Sequence, residues 1–226
     1  MFKTSFYAER NASALAEGVT PLEHFVHRGA AEGSDPHPLF DVGYYARQAP
    51  DLIASGENPL VHYVRHGASA GLSPHRLFDA GFYRGQLEAA GASAEASLIH
   101  YLTEGSAQGL KPHPLFDPAW YREQNPDIAA TGMEPLTHYV LAGGAEGRSP
   151  GPWFDTPRYV ALRGEALVSR RNALVDYLEG GAWAIAEPWP GNASVGYLSA
   201  AADFAASGLT PLEHWARQAG AQTPSA

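Results

Sequence analysis

Apolar positions along this chain fall in short clusters of helical spacing, separated by polar stretches rich in glycine and proline. Phe40 is followed five residues on by Tyr45, and Leu60 is followed three residues on by Tyr63. No alternating or β-branched run is long enough to build a sheet, so the pattern predicts short helices throughout. The clusters also recur. Phe40-Asp41, Phe78-Asp79, Phe116-Asp117 and Phe154-Asp155 repeat every 38 residues, and the frame extends back to Phe2 and on to Asn192. A tyrosine follows each start without exception (Tyr7, Tyr45, Tyr83, Tyr121, Tyr159, Tyr197). A leucine recurs at Leu22, Leu60, Leu98, Leu136, Leu174 and Leu212. An aromatic follows it at Phe25, Tyr63, Tyr101, Tyr139, Tyr177 and Trp215.

These residues have local physical roles. Asp41 is placed to cap a helix by accepting from an orphan N–H of the first turn. Phe40 and Tyr45 then occupy the two positions of a hydrophobic staple, which explains why Phe, Asp and Tyr recur together. A second helix is expected to start at Asn58-Pro59. Thr20-Pro-Leu-Glu23 and Thr210-Pro-Leu-Glu213 are capping boxes. Gly29, Gly67, Gly105, Gly143 and Gly181 are expected to end these helices as C-terminal caps. Ala49-Pro-Asp51 and Asn125-Pro-Asp127 suggest a further capped turn.

Helices this short are not stable alone and must bury their faces on neighbouring copies. The expected fold is therefore an all-α solenoid, right- or left-handed, of six 38-residue repeats with two to three short helices each. It forms one helical-repeat domain over residues 1–226, with atypical first and last units as caps: Lys3 replaces the first Asp, and Asn192-Ala193 replaces the last Phe-Asp.

Composition narrows the function classes. The absence of cysteine removes disulfides, thiolate metal sites and cysteine nucleophiles. A net charge of −9 argues against nucleic acid and anionic membrane surfaces as partners. No apolar run has the length of a membrane span, and no signal peptide is recognised, so the expected location is cytoplasmic or outside the cell after release in a particle. Walker, G-x-S-x-G, H-E-x-x-H and D-x-D motifs are absent, so neither an enzyme nor a cofactor is expected.

The pattern FD-x-x-x-Y, NPD, NPL-x-HY, G-x-x-EG-x-x-PHPLFD resembles the tandem repeats that accompany bacterial glycosyltransferases and surface-polysaccharide proteins. Residues 112–150 carry the closest match. Similar repeats occur in receptor-binding spikes of phage-like gene transfer particles. The resemblance implies a binding module for capsular or other surface polysaccharide, within a larger assembly that supplies a second structural protein as partner. A protein-interaction scaffold and an accessory region of a glycosyltransferase system are the alternatives.

Three sets of residues are candidates for chemistry. His24, His62, His100, His138 and His214 share one frame, with Asp176 in the fifth repeat, and point away from the apolar stripe. They are expected to bond a neighbouring unit and hold the stack in register. One ligand per repeat is poor metal geometry, so no metal is expected. His37, His75 and His113 lie in proline-rich loops, either packing on the following Phe or presenting a ring to a ligand hydroxyl.

The third set lies at the boundary into repeat five or inside it. The repeat frames account for every aromatic residue except Trp153, Trp183, Trp189 and Phe204. Arg148, Arg158, Arg163, Arg170 and Arg171 gather in the same region. Trp153, Trp183, Trp189, Arg158, Arg163, Arg170 and Arg171 are thus candidate ligand-binding residues, since tryptophan faces stack on sugars and guanidinium groups grip carboxylates. The other reading is a degenerate repeat that refills its core with Trp and solvates its face with Arg.

Overall fold

A computed structural model describes residues 1–15, 18–93, 97–164, 167, 172–184 and 203–221. The chain divides into two compact units, Met1–Pro112 and His113–Ala226, each described here by itself. The architecture is all-α and repetitive, as expected: helix pairs recur at the 38-residue spacing, in the manner of an α-solenoid.

In the first unit the opening helices of the repeats are Thr4–Arg10, Val42–Gln48 and Ala80–Ala89. In the second they are Pro118–Gln124 and Thr156–Arg163. Each aspartate of the start motif caps as expected, Asp41 Oδ1 accepting from Tyr44 N at 2.6 Å and Asp117 Oδ1 from Trp120 N at 3.0 Å. The staple also forms: the Phe40 and Tyr45 rings lie 5.2 Å apart, and Phe116 and Tyr121 5.4 Å apart. Lys3 caps its helix with no side-chain bond. Asn192-Ala193 lie outside the described residues.

A middle helix forms where proline restarts the chain, at Pro50–Ser55 and Pro126–Thr131, each ended by a left-handed glycine, Gly56 or Gly132. Repeat three has Glu88 in place of that proline, and its first helix runs on to Ala89. The second helices begin at Pro21, Pro59, Ser97, Pro135, Ala173 and Pro211. The Thr20 capping box closes in both directions, Glu23 Oε2 accepting from Thr20 N and Thr20 Oγ1 from Glu23 N, and Glu213 Oε2 accepts from Thr210 N.

These second helices do not end as the sequence suggests. Gly29, Gly67, Gly105 and Gly143 are not left-handed caps. They are the last residues of π turns, in which Ala30 N bonds Phe25 O and Ala68 N bonds Tyr63 O five residues back. The left-handed glycines come four residues later, at Gly33, Gly71, Gly109 and Gly147.

The core is assembled from rings and from the connecting loops. Phe40, Tyr45 and Tyr63 meet at 5.2–5.6 Å between centroids, and the same trio recurs as Phe78–Tyr83–Tyr101. The loops Pro36-His-Pro-Leu-Phe40 and Pro74-His-Arg-Leu-Phe78 are largely buried rather than peripheral, Leu39 and Leu77 completely. A buried loop needs partners for its backbone. Each start motif supplies one, Lys3 N bonding Pro36 O at 2.9 Å and Asp41 N bonding Pro74 O at 2.9 Å. Gln48 adds a reciprocal pair, donating to Ser73 O and accepting from Ser73 N.

Candidate functional site

The first histidine frame is built into each repeat rather than between repeats. Tyr7 Oη lies 2.7 Å from His24 Nδ1, and Tyr45 Oη 2.6 Å from His62 Nδ1. Tyr83 pairs with His100 at 2.7 Å and Tyr121 with His138 at 2.9 Å. Both partners always belong to one 38-residue unit, so the expected bond to a neighbour is corrected for His24, His62, His100 and His138. The helix crossing within a repeat brings tyrosine and histidine together seventeen residues apart. His214 Nε2 lies 3.5 Å from Asp203 Oδ2 in its own repeat. The bond to the neighbour is made by the adjacent tyrosine instead: Leu98 N donates to Tyr63 Oη at 3.4 Å and Leu212 N to Tyr177 Oη at 3.2 Å. Burial raises the tyrosine pKa values, as at Tyr83, and keeps the phenol as a donor.

The fixed glycine completes this unit. A Cβ on Gly67 would collide with the Tyr45 hydroxyl, and one on Gly29 with that of Tyr7. The glycine recurs because an oxygen occupies its side-chain space, not because the backbone needs a positive φ.

The loop histidines are structural too. His37, His75 and His113 are only 8, 9 and 2 % exposed. Their Nδ1 atoms accept from Leu39 N, Leu77 N and Leu115 N at 3.0–3.1 Å, closing a tight turn. With Nδ1 an acceptor, the neutral ring carries its proton on Nε2. In His113 that atom faces Glu213 Oε1 at 3.4 Å. The expectation that these rings meet a ligand hydroxyl is corrected, because burial and the turn bond occupy them. Burial first, then the charge of Lys3, lowers the His37 pKa to about 4.

Repeat five separates the Trp/Arg set. Asp176 stands in the histidine frame, and Tyr159 Oη donates to its Oδ2 at 2.5 Å. Arg163 Nε donates to the same oxygen at 2.7 Å, its side chain mostly buried. Arg163 is therefore a counter-ion in the core and is corrected as a ligand-binding residue. Arg148 is clamped by Asp127, Glu146 and Asn125. Arg158 is on the exposed side of its helix. Trp153 and Trp183 remain on the surface, 38 and 60 % exposed. Trp153 packs edge-on against Trp215 at 4.7 Å, and Trp183 against Phe204 at 5.9 Å. Phe204 also contacts His214, so the C-terminal helix Pro211–Ala221 supports both tryptophans. Arg170, Arg171 and Trp189 lie outside the described residues.

Among the described residues, no three His, Asp or Glu side chains gather to hold a metal ion. None of their helices is long and apolar enough to cross a membrane. The fold and these surfaces define an all-α helical-repeat protein with exposed tryptophans against its C-terminal helix. Comparison with protein-family models, with curated proteins and with solved structures finds no match to this chain.

Proposed function

We propose that this chain is a non-enzymatic binding module for bacterial surface polysaccharide, working within a larger assembly such as a released phage-like particle. The observation that carries the reading is the exposure of Trp153 and Trp183 on a helical-repeat scaffold. Indole faces bury the apolar face of a sugar ring at little conformational cost. Arg158 is on an exposed helix face of the same repeat and supplies a group for uronate or phosphate substituents. The resemblance of the repeats to those of polysaccharide-associated proteins supports the same class. Six units of one fixed length without insertions suit a binding surface better than an enzyme, whose active-site loops break such regularity.

A glycan array and capsule preparations test the proposal, with Trp153→Ala and Trp183→Ala alongside the parent chain. Saturable binding that drops at least tenfold in either variant, with unchanged circular dichroism, is the expected result. Binding to no glycan, together with stoichiometric capture of one protein, would replace this reading with the interaction scaffold.

A further inference from the structure

A groove of about 450 Å³ opens between the first two repeats, within the first compact unit. Val26, Ala30, Val42 and Leu52 form apolar walls, Ala46 lies within it, and Glu57 stands at its polar side. The next interface explains what this space is shaped for. There the counterpart of Ala46, one repeat on, is Arg84, whose Nη1 donates to the Ser69 carbonyl at 3.1 Å. Its Nη2 lies over Gly71 so closely that a Cβ there would clash. In the first interface the matching positions are the Ala31 carbonyl and Gly33, both at the groove, and a Cβ on Gly33 would meet nothing within 4 Å. The acceptor and the glycine floor are thus repeated, while the guanidinium is not.

We infer that this groove takes the arginine side chain of a partner polypeptide, which seats its guanidinium where Arg84 seats its own in the following repeat. The partner's methylenes lie along Val26, Val42 and Leu52, as a long cationic side chain covers apolar surface while its head stays polar. The head bonds the Ala31 carbonyl and faces Glu57. Among the described residues the Glu57 carboxylate is engaged by the exposed Arg65 alone, at 3.4 Å, which leaves it able to accept from a second fork. The neighbouring cation Arg47 lies 5.9 Å from the Tyr44 ring centroid, with its Nη1 beside Gly43 at the groove's edge, and His27 also lines the groove, so Glu57 supplies the compensating negative charge. The net charge of −9 favours approach of a basic segment. This inference is independent of the polysaccharide reading and concerns the opposite end of the chain from repeat five.

The test is amide NMR of the full chain titrated with acetyl-Gly-Arg-Gly-amide, its lysine analogue and chitotriose. Saturable shifts at Ala31, Gly33 and Ala46 with the arginine peptide are expected, at least threefold tighter than with lysine. Ala46→Arg copies the next repeat and should abolish the shifts while circular dichroism stays unchanged. Ala46→Leu, which fills the groove without charge, should do the same and serves if the arginine variant fails to fold. Glu57→Gln should weaken binding about three- to tenfold. Absence of saturable shifts, less than threefold preference over lysine, unchanged binding in the filled variants, or equal shifts with chitotriose would each overturn the assignment.

Discussion

The Tyr159 hydroxyl donates to Asp176 at 2.5 Å, in the same place where Tyr45 meets His62 in the second repeat. Replacing an imidazole by a buried carboxylate brings a charge into the core, and Arg163 at 2.7 Å neutralises it. Histidine and the Asp–Arg pair are therefore two solutions to one packing problem. The exchange links residues in two different helices, Thr156–Arg163 and Ala173–Leu178.

Arg163→Ala should leave Asp176 buried without its counter-ion, at a cost of about 3 kcal/mol. Adding Asp176→His restores the tyrosine–histidine pair of the other repeats and should recover most of that loss. Urea denaturation of the parent, both single variants and the double variant measures the coupling. Equal destabilisation of single and double variants would refute the counter-ion role.

Gly67→Ala should destabilise by roughly 2–3 kcal/mol, because its methyl would overlap the Tyr45 hydroxyl. Tyr45→Phe removes that oxygen and should offset part of the cost when combined with it. Gly109→Ala provides the contrast. Its φ of 79° with open space around it predicts a smaller loss, about 1 kcal/mol, that no tyrosine change relieves. Thermal melts of the four proteins distinguish steric from backbone causes.

Asp35 and His37 should oppose each other in acid. Burial raises the Asp35 pKa to about 6, against the Val42 N–H that it accepts. The unfolded chain ionises this group near pH 3.9, so its contribution falls as pH rises from about 4 to 6. His37 does the reverse: its pKa of about 4 means that stability is fully present above about 6.5 and falls as pH drops toward 4. Ser73 and Ser149 take the Asp35 position in other repeats and accept the equivalent amide. Asp35→Ser should therefore gain on the parent protein as pH rises from 4 to 6, and hold that gain above 6. A stability difference that stays flat across this window would count against the half-buried carboxyl.

Glu213 should anchor the C-terminal helix down to low pH. Burial pushes its pKa up, but the hydrogen bonds from His113 and Thr210 outweigh it and bring it to about 2. Its contribution is complete above the unfolded value near 4.3 and is lost as pH falls through about 2. Hydrogen exchange across Pro211–Ala221 should stay slow at pH 4. Glu213→Gln or His113→Phe should speed it at that pH; unchanged exchange in both would rule out the anchor.

The sequence by itself determined the repeat length, the helical class, the aspartate caps, the staples and the capping boxes. All of these rest on contacts between residues up to five apart, and such contacts are written in consecutive letters. The tertiary structure decided what lies farther away. Tyr45 reaches His62 across a helix crossing, Gly67 gives room to that hydroxyl, and the loop histidines are buried because adjacent loops bond each other's backbone. One such contact did leave a trace in the sequence. Asp176 breaks the histidine frame in the same repeat where Arg163 takes a position held by Asn11, Ala49, Leu87 and Asn125 elsewhere. The two changes are thirteen residues apart, and only the packing of their helices makes them one ion pair. The groove at Ala46 follows the same logic. Ala46 and Arg84 are both visible in the sequence at the same repeat position, but the groove exists because two neighbouring repeats leave that volume unfilled.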